Sequence, residues 1–457
     1  MATNTTAPLP PSSRRRPRRG SRRPTRVLFH YEAVIAINES STTAHAYTRN
    51  MEHIQVSLCL KRPPLPSTLF VHSSDLNHHV LPDIVCSVDD LLLLRVNMGR
   101  DRFDVYAKDF DYFVYKIHSS SPSLELLEQP HPCFHARDVD GHYTVAALNS
   151  TRIVHQYELH LFQSHTSSWS SSMVNYDITD GGQIVHKDTS TVITIGGEGG
   201  TMGWVDLWHG ILLCDVLETE PSLRAVPLPS PSVDKVWGIG DPVQRRGIAF
   251  VRGKGCLKFV HLEIADARLP GMDHETKAPS FRVDGWTLTT WSNTAMSDSL
   301  EDWHKECVVQ ASDITIADMA ISQFLEDSGL LRTSLSNQPK EEQRNLQNLS
   351  MYQPSPCLSG EDIVYLVARE KNRHPKAWIL AVDMKNGGRL KGAAYFGIPS
   401  EYSGYSVVYR PSEISKYMNL TKHMNPPATV PDIYTSISGS PGPTRRFDVR
   451  KALSFPN

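Results

Sequence analysis

Short segments rich in β-branched and aromatic residues recur along nearly the whole chain, each bounded by turn-forming residues. No other feature restricts the fold so tightly, because this spacing belongs to sandwiches, barrels and propellers. Order is expected to begin at Arg26–Ile37. Asp140-Gly141 precedes a strand at His142–Leu148. A second strand, Tyr157–Phe162, leads into Ser167-Ser168-Trp169-Ser170, a turn of the kind that closes many propeller blades. Arg245–Val251 runs through Gly253-Lys254-Gly255 into Leu257–Glu263 with the alternating polarity of a hairpin. Ile363–Ala368 is suited to pair with Trp378–Asp383, and Asn386-Gly387-Gly388 turns into Leu390. Helical signal is scarce, its best instance being Lys340–Leu349 after Pro339. The chain reads as all-β, with helix well below the roughly 30–35% of an average globular protein. Lacking a strict internal repeat, it reads as a degenerate β-propeller.

Its 457 residues allow one large repeat-built domain or two or three average ones. We expect a disordered Arg-, Pro- and Ser-rich arm at 1–25 and a single β-rich, propeller-like domain at 26–422. That domain carries a polar insertion at 326–358, and an irregular Pro-rich segment follows at 423–457. The richest apolar runs, Leu91–Leu94 and Trp378–Val382, have the length of strands. A membrane helix needs roughly 18 apolar residues. The N-terminus lacks the apolar core of a secretory signal. Seven dispersed cysteines without a CxxC pair read as reduced thiols. These features point to a soluble intracellular protein of the cytoplasm or nucleus, an organellar transit peptide being another reading of the arm. Charge is uneven. Residues 1–26 hold eight of the 47 basic residues and no acid, leaving 39 basic against 49 acidic residues beyond them. That body repels phosphate, so any weak, nonspecific polyanion contact belongs to the arm.

The segment Gly203-Trp204-Val205-Asp206-Leu207-Trp208-His209-Gly210-Ile211-Leu212-Leu213-Cys214-Asp215-Val216 resembles the signature of a family largely confined to grasses, the domain-of-unknown-function family numbered 1618. Tyr112-Phe113-Val114-Tyr115, Gly285–Trp291, and Pro356-Cys357-Leu358-Ser359 leading to Val364-Tyr365-Leu366 resemble it in the same order. The resemblance implies no known activity, substrate or cofactor. Its strand-and-tryptophan pattern is similar to the propeller modules attached to plant F-box proteins. This chain departs from those by lacking an F-box. Leu81-Pro82-Asp83-Ile84-Val85 mimics the start of one, but Leu91–Val96 reads as a strand.

On a strand, Trp204, Asp206 and Trp208 would share one face, and Val205 and Leu207 the other. Asp206 is expected to accept backbone hydrogen bonds, the tryptophans to pack, and Gly210 to turn the chain; a ligand-binding Asp206 is the competing reading. Gly196–Gly200 contains Glu198 and joins Thr191–Ile195 to another β segment, so it reads as a hairpin loop rather than a phosphate cradle. His131, Cys133 and His135 alternate as zinc ligands could, but Pro130 and Pro132 break the strand and no fourth ligand is placed. Asp138 and Asp140-Gly141 suggest a calcium loop, yet Asn149 stands where its bidentate acid belongs. Ser438-Gly439-Ser440-Pro441-Gly442 lacks the first glycine of a nucleophile elbow. No catalytic, cofactor-binding or metal residue is assigned, and no cofactor is expected.

The resulting expectation is a non-enzymatic module presenting propeller loops to a protein partner. The alternative is a propeller-type hydrolase or lyase with an active site dispersed in sequence. A polar pocket of convergent acids and histidines would favour the enzyme. A plugged channel with an exposed aromatic patch would favour the module. A chain beginning at Arg26 is expected to melt like the full chain and to lose its salt-sensitive affinity for RNA or DNA. Melting curves and binding at two salt concentrations check both, and retained affinity would place a basic groove on the body.

Overall fold

A strand reading Leu91-Leu92-Leu93-Leu94 cannot leave one face to water, so its sheet must be covered on both sides. Leu92 and Leu94 enter one apolar cluster, and Leu91 and Leu93 enter another. The same division separates Trp378, Leu380 and Val382 from Ala377, Ile379 and Ala381. Sheets buried on both faces can be stacked radially, each blade packing on two neighbours.

The computed structural model describes residues 26–74, 76, 80–98, 110–117, 121–127, 134–137, 142–176, 186–229, 241–331, 345–397 and 409–417. They form a six-bladed β-propeller, 57% strand and 9% helix. Blade 1 contains β1 (Val27–His30), β2 (Val34–Ile35), β3 (Ala44–Tyr47), β4 (His53–Cys59) and β5 (Pro66–Ser73). Blade 2 is β6 (Asp83–Val88), β7 (Leu91–Asn97), β8 (Phe110–Lys116) and β9 (Ser123–Leu127). Blade 3 is β10 (Phe134–Arg137), β11 (Tyr143–Ser150), β12 (Gln156–Gln163) and β13 (Ser168–Asn175). Blade 4 is β14 (Thr191–Gly196), β15 (Thr201–Asp206), β16 (Gly210–Asp215) and β17 (Leu223–Pro227). Blade 5 is β18 (Arg246–Val251), β19 (Cys256–Met272), β20 (Pro279–Asn293) and β21 (His304–Gln310). Blade 6 is β22 (Ser350–Pro356), β23 (Ile363–Arg369), β24 (Lys376–Asp383) and β25 (Arg389–Gly397). The last strand, β26 (Tyr409–Ser412), returns to blade 1, whose order is β26-β1-β5-β4-β3 with β2 beside β5.

Among the described residues, six apolar clusters fill the six seams between blades. The ring closes where β26 pairs antiparallel with β1, Val27 opposite Ser412 and His30 opposite Tyr409. Arg26 belongs to this joint rather than to the arm, since its Nε donates to Glu413 Oε1 at 2.9 Å.

The expected hairpins form with Val145 opposite Phe162, Gly247 opposite Val260, and Val367 opposite Ile379. Gly196, Gly197 and Gly200 all have positive φ in the loop joining β14 to β15. Two expectations need correction. Instead of a helix ending at Leu349, the chain makes a short 3-10 turn, Leu346–Asn348, before entering β22; residues 340–344 lie outside the described residues. Of the stretch 326–358, Ser350–Pro356 is the innermost strand of blade 6. The described α-helix is α1 (Met319–Asp327), capped by Asp318, whose side chain accepts from Ala320 N. Gly329, at φ 82°, ends it, and Leu325 is buried in the seam between blades 5 and 6. Asp138, Asp140-Gly141, the arm and the segment from 423 onward lie outside the described residues.

Inner strands crowd the axis. A Cβ on Gly247 of β18 would sit 1.8 Å from the Pro354 carbonyl oxygen of β22, and neither backbone can yield cheaply. Gly247→Ala is therefore expected to destabilise the fold by on the order of 3 kcal/mol in urea unfolding, with wild-type stability refuting this close approach.

Candidate functional site

The signature begins in β15 and leaves it at Asp206. Trp204 packs into the seam of blades 3 and 4, while Val205 and Leu207 pack into that of blades 4 and 5. This separates the faces as the sequence implies, except for Trp208. Pairing of Asp206 with Gly210 makes residues 207–209 a tight turn, so Trp208 leaves the strand and lies against blade 5. Asp206 is 2% exposed. Its Oδ1 accepts from Trp208 N at 2.9 Å, and its Oδ2 from Lys187 N at 3.0 Å and His209 Nδ1 at 2.7 Å. The carboxylate thus ties the turn to the irregular segment that leads into β14, the structural role expected for it.

Blade 5 answers with Arg246, 1% exposed, whose Nη1 donates to Leu207 O at 2.8 Å. Its guanidinium lies 4.6 Å from the Trp208 ring centroid. Burial pushes its pKa down to about 10, with Asp206 opposing, so it remains cationic at neutral pH. His261 stands opposite Arg246 in the β18–β19 register. Burial and the neighbouring Arg246 and Arg245 push its pKa down to about 4, and its Nδ1 has no hydrogen-bond partner.

From here β19 and β20 run far past the blade, forming a projecting hairpin. Its tip is pinned to blade 6 by Lys371, whose Nζ lies 2.9 Å from both Asp273 and Glu275. Asn372 Nδ2 also donates to Pro279 O at 3.3 Å. At its base Trp286 Nε1 donates to Leu346 O at 2.8 Å. Hairpin and blade 6 enclose a groove of about 810 Å³ lined by Arg245, His261, Asp266, Phe281, Trp286 and Tyr352 among others. Arg245 Nη2 lies 3.8 Å from Asp266 Oδ2. A second cavity of about 460 Å³, with Trp291, Trp303 and Lys305, shares His261 and Glu263 with it.

Among the described residues, the cavities found on the propeller axis are far smaller. Arg410 of β26 extends to blade 4, where Nη1 donates to Thr191 Oγ1 at 3.3 Å. The two cavities it borders hold only about 140 and 90 Å³. Among the described residues, no three His, Cys, Asp or Glu side chains converge to hold a metal. His131, Cys133 and Ser438–Gly442 lie outside the described residues, and of His135 only the backbone, in β10, is described.

Sequence reasoning located Asp206 and its role but missed the groove. The available signal was the β-type pattern of Leu257–Glu263, which continues to Met272, well beyond the usual strand of about 5–6 residues. Asp206→Ala should cost about 1–3 kcal/mol by orphaning buried donors; unchanged stability in urea would refute that role. His261 binds a proton near pH 6.5 when unfolded but only near 4 when folded, so stability is lost as pH falls through that window. His261→Gln should remove about 3 kcal/mol of this pH dependence, His30 retaining its own share because burial also lowers it to about 4. Urea titrations from pH 4 to 7 would expose an unchanged slope and reject the assignment.

No curated protein matches the chain. Similar solved structures include an ancestral GH74 enzyme, with TM-score 0.31, 10% identity and coverage of 82% of this chain but 39% of that one. The WD40 domain of SCAP from fission yeast matches with TM-score 0.27 and 10% identity over 82% and 89% of the two chains. A putative 6-phosphogluconolactonase from Bacteroides fragilis NCTC 9343 matches with TM-score 0.27 and 7% identity over 81% and 98%. Residues 204–365, which begin in the signature and extend into β23, match the model of the family described as Protein of unknown function (DUF1618).

Proposed function

We propose that the protein is a non-enzymatic interaction module that holds a segment of a partner protein in the groove between blades 5 and 6. The observation that carries this reading is the groove itself. It is large, mixed in polarity and bridged by a hairpin anchored at both ends, whereas among the described residues the two cavities that Arg410 borders on the axis are far smaller. Its aromatic and aliphatic lining suits peptide side chains, with a few polar groups to orient them. The family resemblance adds a plant setting akin to F-box-associated modules; the cysteine pattern and the N-terminal composition add action in the cytoplasm or nucleus, and the charge distribution confines polyanion contact to the arm.

A hydrolase or lyase is the second reading, favoured by His261, Glu263 and Asp266 lining one cavity. Its weakness is chemical. A histidine held near 4 is a poor base at neutral pH, and two arginines beside it oppose the imidazolium that proton abstraction would create.

Gly285 offers a clean test, because a Cβ there meets only the Gln347 side chain, at 3.7 Å. Gly285→Trp should fill the groove at unchanged melting temperature and abolish capture of partners that the wild type retains. Identical partners on both proteins, identified by mass spectrometry, would overturn the proposal.

A further inference from the structure

We propose that the groove receives its ligand as an added β-strand: an extended, basic segment of a partner protein pairs with the free edge of β19 beyond His261. This rests on the interaction reading above and specifies how capture occurs. β18 accompanies β19 only as far as Arg246 opposite His261, and the chain before it bends into a 3-10 turn, Pro242–Gln244. One residue further, Leu262 N still donates to Arg245 O at 2.8 Å. Backbone groups alternate sides along a strand, so the Ile264 N–H and C=O point the same way, where among the described residues β18 no longer runs.

The groove follows that edge. All six residues from His261 to Asp266 line it, whereas a strand met on its face contributes every second residue. The hairpin's other edge is covered, because Gln347 Nε2 and Asn348 Nδ2 donate to the Asp284 and Val283 carbonyls at 2.8 and 3.0 Å. An open edge beside a groove of mixed polarity is a template for another chain. Charge selects the chain. Glu263 is exposed at the rim and Asp266 lines the groove, while the residues after 26 carry 39 basic against 49 acidic groups. Among the groove's lining residues Arg245 supplies the Lys or Arg charge, and it already faces Asp266.

Short random peptides displayed on phage, selected on the full chain and resynthesised, test this by fluorescence polarisation. Binders should be rich in Lys or Arg and lose affinity for Gly285→Trp. Ile264→Pro removes the edge N–H at a position where proline is tolerated and should weaken binding roughly tenfold, with Ile264→Ala, lacking only the side chain, close to wild type. Should Ile264→Pro fail to fold, N-methylation of alternate peptide positions deletes the reciprocal bonds, those that ligand N–H groups donate to the Ile264 carbonyl and its edge neighbours, and should abolish binding. Indifference to N-methylation, or equal losses in the Pro and Ala variants, overturns strand addition while the groove reading stands. Acidic binders overturn the charge assignment. Absence of any binder sensitive to Gly285→Trp removes the groove reading itself.

Discussion

Everything in this fold depends on the pairing of two strands from opposite ends of the described chain. β1 and β26 share four register positions in blade 1, and Arg26 and Glu413 join 387 residues apart beside them. Each blade is a sheet with two apolar faces and therefore needs two neighbours. Only a closed ring supplies both to every blade. Without β26, blade 1 would lose its innermost strand, and the seam holding Leu28, Tyr365, Ile379 and Tyr409 would be laid open. The entropic cost of joining distant ends grows only slowly with loop length, and the seam buried at the joint offsets it.

Closure also explains the crowded axis. Drawing six inner strands into a ring brings backbone against backbone, so that Gly247 faces the Pro354 carbonyl. It carries Arg410 on the closing strand to Thr191 of blade 4. The central channel, where a propeller could gather polar groups, is here used to hold the ring together. The larger groove lies further out, where one blade departs from the common pattern.

That departure is blade 5. Five blades end their strands near the ring's faces, but β19 and β20 continue into a hairpin that must find a partner or leave edges bare. Blade 6 supplies one through Lys371, Asn372, Gln347 and Asn348. These contacts are mostly exposed ion pairs and single hydrogen bonds, each contributing little alone. The buried anchor is Trp286, 3% exposed and bonded to Leu346 O. At the adjoining seam, Asp206 and Arg246 lock the turn of blade 4 to the first strand of blade 5, giving the groove a rigid base.

The sequence by itself determined which segments are strands and which of their faces are apolar. Leu91–Leu94 and Trp378–Val382 announce two-sided burial, because a period-two backbone turns consecutive apolar residues to opposite faces. It also marked a turn into the strand at Ile211–Val216, but it carried the first strand on to Trp208 and gave the turn to Gly210, whereas Asp206 pairs with Gly210 and the turn is 207–209. The helix at Met319–Asp327 was legible too, in Asp318 as cap, Ile321, Phe324 and Leu325 on one face, and Gly329 beyond the end. The stronger-looking Lys340–Leu349 drew attention instead, although Leu346 and Leu349 are held in a turn and strand entry by contacts with blade 5. Tertiary structure alone decided the number of blades, the return of β26 to blade 1 and the meeting of Arg245, His261 and Asp266 with Tyr352 across a seam. Local spacing records how a segment folds against itself. It carries no term for which distant segment will cover its second face, and that choice follows only once all six seams are closed together.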